Sequence, residues 1–230
     1  MTTTPRERAR EQTLAEITRI GREHLATEGA AALSLRAVAR DLGVVSSAVY
    51  RYVASRDELL TLLVVDAYSE LGTEVDTAVA AVPADDHRGR LHALARAVRA
   101  WALREPARYA LLFGSPVPGY HAPADRTTGP GTRVVVGLIA VIEDAHRAGA
   151  IALPATPLDP GLAGDLRRIR SEMALTIPDE LLARGVTAWA ALFGAVNFEV
   201  FGQYGADTFA DPAALFEHHL VVLDQILGLA

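Results

Sequence analysis

Cysteine is absent from all 230 residues, which excludes a disulfide framework, a thiolate-ligated zinc site and a cysteine nucleophile. Lysine is absent as well. All 22 basic residues are Arg, a bias that follows genomic base composition more readily than function. No apolar run is long: 185–196 stops at Asn197 and Glu199, short of the roughly 20 residues that span a bilayer. The opening MTTTPRERAREQ is polar and charged, with no apolar stretch of the kind a secretory leader needs. These absences predict a cytoplasmic protein with no membrane partner. There is no P-loop, no G-x-G-x-x-G and no H-E-x-x-H. The segment FGSPVPG lacks the G-x-S-x-G spacing and the strand–turn–helix setting of a nucleophile elbow. No stretch of strand length alternates with period two, and there is no internal repeat.

Half of the residues are hydrophobic and 22% are charged, enough for a core that needs no metal or disulfide to hold it. The net charge is −6, but it is unevenly spread. Residues 1–60 carry nine Arg and eight acids, whereas the remainder carries 13 Arg and 20 acids. A less acidic, Arg-bearing N-terminal segment on an acidic body fits a small DNA reader attached to a larger domain. The acidic remainder, Asp85 and Asp86 included, reads most simply as solvated surface that repels DNA.

Helical periodicity runs almost throughout. Leu14, Ile17, Gly21 and Leu25 share one face of a first helix that Gly29 should end. Ser34 stands as N-cap before Leu35, Val38, Ala39 and Leu42, spaced i, i+3, i+4 and i+7, and Gly43 closes that short helix. A third helix is expected over 46–53 and a long fourth over 56–82, with Ser55 as its cap. Further helices are expected over 91–104, from Pro106, over 132–147 and 164–175, then 179–203 and 212–227. Gly- and Pro-rich loops are expected at 114–131 and 149–161. The fold class is all-α: an N-terminal three-helix helix-turn-helix domain (1–55, the motif at about 34–53), a linking helix (56–82) and a C-terminal helical bundle (83–230).

Two short helices meeting at Gly43 match the helix-turn-helix pattern. Gly43 can take the left-handed conformation, and Ala39 is small enough for close helix contact. The second helix presents Val45, Ser46 and Ser47 at its start, where a recognition helix meets base edges, with Arg36 and Arg56 flanking. Residues 34–60, SLRAVARDLGVVSSAVYRYVASRDELL, resemble the DNA-binding segment of the TetR/AcrR family of transcriptional regulators. The matching elements are Ser34-Leu35-Arg36, Val38-Ala39, Leu42-Gly43-Val44, Ala48-Val49-Tyr50 and Arg56-Asp57-Glu58-Leu59. The resemblance implies that Arg36 reaches a base and that Ser46 and Ser47 contact bases and phosphates. It also implies that Tyr50 bonds a phosphate and that Arg56 stands where a phosphate-binding Lys is usual. Ser34, Arg51 and Tyr52 complete the expected contact set. Val45 departs from the common polar residue, so the cap shifts to Ser46 or is lost, and Tyr52 and Val53 replace a frequent His and Phe.

The stretch 101–120, WALREPARYALLFGSPVPGY, together with Ala188-Trp189-Ala190-Ala191-Leu192-Phe193-Gly194, is similar to the ligand-binding half of a TetR subgroup named for a Trp-His-Gly motif, with Phe193 where His would stand. Trp101, Tyr109, Phe113, Tyr120, Trp189, Phe193 and Asn197 are the candidate lining of an apolar pocket. Taken singly, each reads as core packing; taken as a set they read as a pocket, because isolated polar groups within apolar helices need an explanation. His121 joins them as a loop residue whose plain reading is solvation, and Asn197 and Glu199 could instead bond across a subunit interface. His218 and His219 are adjacent and diverge by about 100° on a helix, so they cannot share a metal. The pairs Asp144–His146 and Asp86–His87 have no helical pairing either. No metal and no cofactor are expected.

The resemblance implies a homodimer that reads a palindromic operator, because one helix-turn-helix contacts too few base pairs to be selective. The last two helices are the expected dimer contact, and a small, largely apolar effector would release the DNA. A constitutive regulator whose C-terminal part only dimerises stays open, and an all-α enzyme is a remoter alternative.

Overall fold

The computed structural model describes residues 4–152 and 156–229. The start of the polar N-terminus and the middle of the loop expected at 149–161 lie outside the described residues. Among the described residues there are ten α-helices: α1 (Pro5–Glu28), α2 (Leu35–Asp41), α3 (Ser46–Tyr50), α4 (Arg56–Ala80), α5 (His87–Arg104), α6 (Pro106–Phe113), α7 (Ala124–Arg147), α8 (Pro160–Glu172), α9 (Asp179–Val200) and α10 (Pro212–Leu227). One 3₁₀ turn, Ala30–Ala32, links α1 to α2. The chain is all-α, as the periodicity predicts.

Local chemistry sets most helix ends. Thr4 and Glu7 form a capping box at the start of α1, the Thr4 N–H donating to Glu7 Oε2 at 2.7 Å and the Glu7 N–H to Thr4 Oγ1 at 3.3 Å. Ser55 Oγ accepts from the Glu58 N–H at 3.1 Å, so it caps α4 as expected. Asp159 and Asp211 cap α8 and α10, each followed by Pro at the first helical position. Several boundaries differ from the sequence reading. Helix α5 starts at His87, not 91, because Asp86 Oδ1 accepts from the Gly89 N–H at 2.7 Å. Helix α8 starts at Pro160, not 164, for the capping reason just given. Helix α7 occupies part of the expected loop 114–131, running through Gly129, Pro130 and Gly131. Its first turn is held by the Pro123 carbonyl and by an Arg126–Glu58 ion pair at 2.8 Å, a tertiary tie that local propensity does not foresee. Helices α3, α4 and α9 stop two or three residues early, at Tyr50, Ala80 and Val200.

The described residues form two compact units: 4–70 with 104–131, and 71–103 with 132–152 and 156–229. In the first, Ile17, Ile20 and Leu25 of α1 pack with Leu35, Val38 and Ala39 of α2, Val49 of α3, and Leu59, Leu60 and Leu63 of α4. Gly21 lets α4 approach α1: a Cβ there would meet Leu59 Cδ1 and Leu63 Cδ2 at 3.3 Å. Arg108 of α6 is 3% exposed. Its Nη1 donates to Glu70 and its Nη2 to Asp66, both at 2.9 Å. Arg22 of α1 donates to the same Asp66 through Nε at 2.7 Å.

The second unit has its own core. Leu91, Leu94, Val98 and Trp101 of α5, Leu138, Val141 and Ile142 of α7, Leu192 and Val196 of α9, and Leu220 and Leu223 of α10 are all buried. Asp224 of α10 is buried and accepts from Arg88 Nε at 2.8 Å and from His92 Nε2 at 2.9 Å. Helix α9 is long and apolar enough, by length and composition alone, to cross a membrane. Its Leu181, Leu182, Gly185, Ala188, Leu192, Phe193 and Val196 are buried in this unit, and a core helix passes the same test.

Gly43 is the residue on which the α2–α3 turn depends. Its φ is 72°, its N–H donates to the Arg40 carbonyl at 3.0 Å, and the Val44 N–H donates to the Ala39 carbonyl at 3.0 Å. A Cβ at Gly43 would meet nothing within 4 Å, so substitution tests backbone strain without steric clash. Gly43→Ala should destabilise the protein by about 1–2 kcal/mol, and Gly43→Asn by less. Urea titration measures this, and equal midpoints for the three proteins would show that the left-handed turn is unimportant.

Candidate nucleic-acid interface

The same apolar spacing that buries one side of α2 and α3 decides what remains outside. Leu35, Val38, Ala39, Val49 and Val53 point inward. The opposite side carries Arg36, Ser47, Tyr50 and Arg51, all exposed, with Ser34, Ser46 and Tyr52 half-buried beside them. Ser34 stands at the N-cap of α2 but makes no side-chain cap bond. Val45 occupies the N-cap of α3 and is 70% exposed, so the side-chain cap there is lost. The expected DNA-contacting residues therefore lie together within one unit, on α2, α3 and the turns around them.

Electrostatics divides the Arg residues here. Arg36 and Arg51 make no ion pair with any described residue. Arg40 is held by Asp41 at 3.1 Å. Arg56, expected to face a phosphate, donates through Nη2 to the Ala30 carbonyl at 2.8 Å and the Ala31 carbonyl at 3.3 Å. Its guanidinium thus ties the 3₁₀ turn to the start of α4. His24, buried in α1, donates through Nε2 to Asp41 at 2.6 Å. That bond, followed by the one from Arg40, holds the Asp41 carboxyl below the usual carboxylate range. The contact closes the end of α2 onto α1 and fixes the orientation of the motif.

The residues expected to line a ligand pocket are divided between the two units. Tyr109 is fully buried in the first, with Phe113 packed on it at 5.0 Å between ring centroids and Tyr68 edge-on to Phe113 at 6.0 Å. Tyr120 shares a hydrogen bond with Thr61 Oγ1 at 3.0 Å, and His121 is exposed. In the second unit Trp101 is fully buried, and Trp189 packs on Phe193 at 4.2 Å. Asn197 is half-buried on α9. Glu199 takes both ends of Arg99, at 2.5 and 2.6 Å, within the chain.

An apolar cavity of about 70 Å³ lies within the second unit, lined by Leu138, Ile139 and Ile142 of α7 and by Gly185, Val186 and Trp189 of α9, among others. Of the expected pocket residues, Trp189 lines it. The other lining side chains are aliphatic, and nothing separates such residues from core in a sequence.

Two family models match the chain. That of bacterial regulatory proteins, tetR family, covers residues 17–63, and that of the tetracyclin repressor-like, C-terminal domain covers residues 91–223. The HTH-type transcriptional regulators Rv1816 of Mycobacterium tuberculosis and Mb1846 of Mycobacterium bovis are each 50% identical over 220 residues, 96% of this chain and 94% of theirs. The crystal structure of SCO4313 is similar at 38% identity and a TM-score of 0.78, covering 96% of this chain and 98% of that one.

The Arg56 geometry makes a stability test. Arg56→Ala removes a charged donor from two carbonyls on a half-buried group and should cost about 1 kcal/mol, at the low end for such bonds. Chemical denaturation measures it, and an unchanged midpoint would leave Arg56 without its structural role.

Proposed function

The chain belongs to the tetR family of bacterial regulatory proteins, and on that premise we propose that it is a cytoplasmic repressor released from a palindromic operator by a small, largely apolar ligand. It is a transcriptional regulator with a DNA-binding helix-turn-helix. The observation that carries the finer reading is the exposed side of α2 and α3, where Arg36 and Arg51 stand beside Ser47 and Tyr50 without a carboxylate partner among the described residues. Such guanidinium groups suit phosphate oxygens and guanine edges. Val45, open to solvent, suits contact with a thymine methyl.

Two copies are needed, since paired motifs must meet half-sites about 34–36 Å apart. Pairing through α9 and α10 is supported by Val186 and Phe198 of α9 and Val221 and Val222 of α10, which stay exposed, and by Ala190 and Ala191, small enough for close helix approach. Val186→Glu should shift the protein to monomers in sedimentation analysis and abolish operator binding at the same concentration. A dimer that survives intact would place the contact elsewhere.

The effector half of the reading rests on the apolar cavity. At about 70 Å³ it is well below the roughly 300–1,000 Å³ of ordinary ligand pockets. A ligand must therefore bind a state in which α7 and α9 have moved apart, and that differential affinity is what a population shift requires. Coupling of about 1–3 kcal/mol would weaken DNA binding about 5- to 150-fold. The small volume equally favours the second reading, a constitutive regulator whose C-terminal part only dimerises. Operator release on addition of metabolite extracts separates the two.

The DNA reading is tested by salt titration of binding to the DNA flanking the protein's own gene, with Arg36→Ala and Ser47→Ala beside the wild type. Arg36→Ala should lose about 1–3 kcal/mol of discrimination at one base pair, and Ser47→Ala should alter preference among operator variants more than non-specific affinity. Equal losses on all sequences would assign both residues to the backbone.

A further inference from the structure

The start of α1 carries a basic surface that the helix-turn-helix does not use. A groove of about 510 Å³ is lined by Arg6, Glu7, Ala9 and Arg10 of α1 and by Arg51 and Tyr52, which follow α3. Arg6 and Arg10 are spaced i, i+4, so they lie one turn apart on the same face of α1. The Arg10 guanidinium sits over the Tyr52 ring at 5.6 Å, which steers it toward the end of α3. Arg6, Arg10 and Arg51 make no ion pair with any described residue, and all three are exposed. The single carboxylate in the lining, Glu7, is engaged by its own helix cap, accepting from the Thr4 N–H at 2.7 Å. Three cations thus face one anion that is already bound locally, in a groove continuous with a residue of the expected DNA face, Arg51.

We propose that this groove seats the phosphate backbone of the duplex that α3 reads, so that the first two turns of α1 add phosphate contacts to those of the helix-turn-helix. The proposal rests on the DNA-binding reading given above. Continuity through Arg51 favours a duplex over other polyanions, because one ligand then spans both surfaces. Arg6 and Arg10 carry affinity and salt dependence, and base preference stays with α2 and α3.

The test uses the full chain and a duplex selected by the wild type from a random-sequence pool. Each phosphate contact contributes about 0.9 to the slope of log K against log salt. Loss of two contacts in the R6Q/R10Q variant should therefore reduce the slope by about 1.8 per protomer, which makes the fall in affinity between 50 and 200 mM salt about 12-fold smaller per protomer. Repeating the selection with the variant should return the same base preference, hydroxyl-radical footprints should lose their outermost protection, and R6K/R10K should restore the slope. Both side chains are exposed, so thermal midpoints should match the wild type. An unchanged slope and footprint in R6Q/R10Q, with R51Q lowering both, would overturn the proposal and leave the DNA reading standing. Failure of the wild type to select any duplex would overturn both. Loss of binding to phosphatidylglycerol vesicles by R6Q/R10Q, with DNA binding intact, would assign the groove to a lipid surface and overturn it as well.

Discussion

A guanidinium buried in apolar surroundings must keep its charge and must therefore keep its partners. Arg108 sets that condition for the first unit. Asp66 and Glu70, one helical turn apart on α4, both accept from it, and Arg22 of α1 shares Asp66. Three helices are thereby committed to one arrangement of charges. Such a cluster adds little net stability over an apolar core of the same shape, but any packing that separates its members leaves an unpaired charge behind. It therefore fixes which faces meet. It also explains why Arg104–Gly131 belongs with the N-terminal residues, although the chain visits α5 in between. The same ion pairs join α6 directly to the middle of α4, at Asp66 and Glu70.

The outward side of α2 and α3 is in large part a remainder. Inward positions are fixed by Val38, Ala39, Val49 and Val53 against α1 and α4. With Gly43 turning the chain, the outward positions follow. Two contacts then set the orientation of the motif, His24 with Asp41 and Arg56 with the 3₁₀ turn. The second has a consequence for reading residues by family position. A guanidinium that holds two carbonyls can meet a phosphate only by sharing or by leaving, so matching position in the motif does not carry matching availability.

The elements that were legible in the sequence are those governed by local rules. The i, i+3, i+4, i+7 spacing of α2, the Ser55 cap, Pro212 at the start of α10 and Gly29 and Gly43 at positive φ all follow from neighbours within one or two turns. Asp86 and Asp159 carry the same capping signal, but the apolar periodicity begins a turn later, so spacing alone places both helix starts too far along the chain. Helix α7 is different in kind. Gly129, Pro130 and Gly131 read locally as loop, and the helix persists there because Arg126 has found Glu58, 68 residues away. The Arg108 cluster was invisible for the same reason, since no spacing rule connects α6 to α4. For the candidate site, the outward set on α2 and α3 could be read from the motif, because period and burial decide it. Aromatic residues chosen for a pocket could not be placed by type alone: Tyr109 and Trp101 fill cores, and of that set Trp189 alone borders the apolar cavity.

Charge accounting is the point at which sequence totals mislead most. A net charge of −6 suggests a poor partner for a polyanion. In the second unit, however, Arg90, Arg96 and Arg99 are taken by Asp144, Glu217 and Glu199, so those groups largely cancel at short range. In the first unit Arg36 and Arg51 of the outward face make no ion pair among the described residues. At physiological ionic strength a phosphate responds chiefly to charges within about 8 Å, so the sum over the whole chain is a weak guide to binding. What matters is which cations have been left unneutralised and where they stand. By that measure the basic end of this acidic protein is the outward side of α2 and α3 together with the start of α1. On the proposal made above, the polar, Arg-bearing start of α1 belongs to the surface that meets the phosphate backbone.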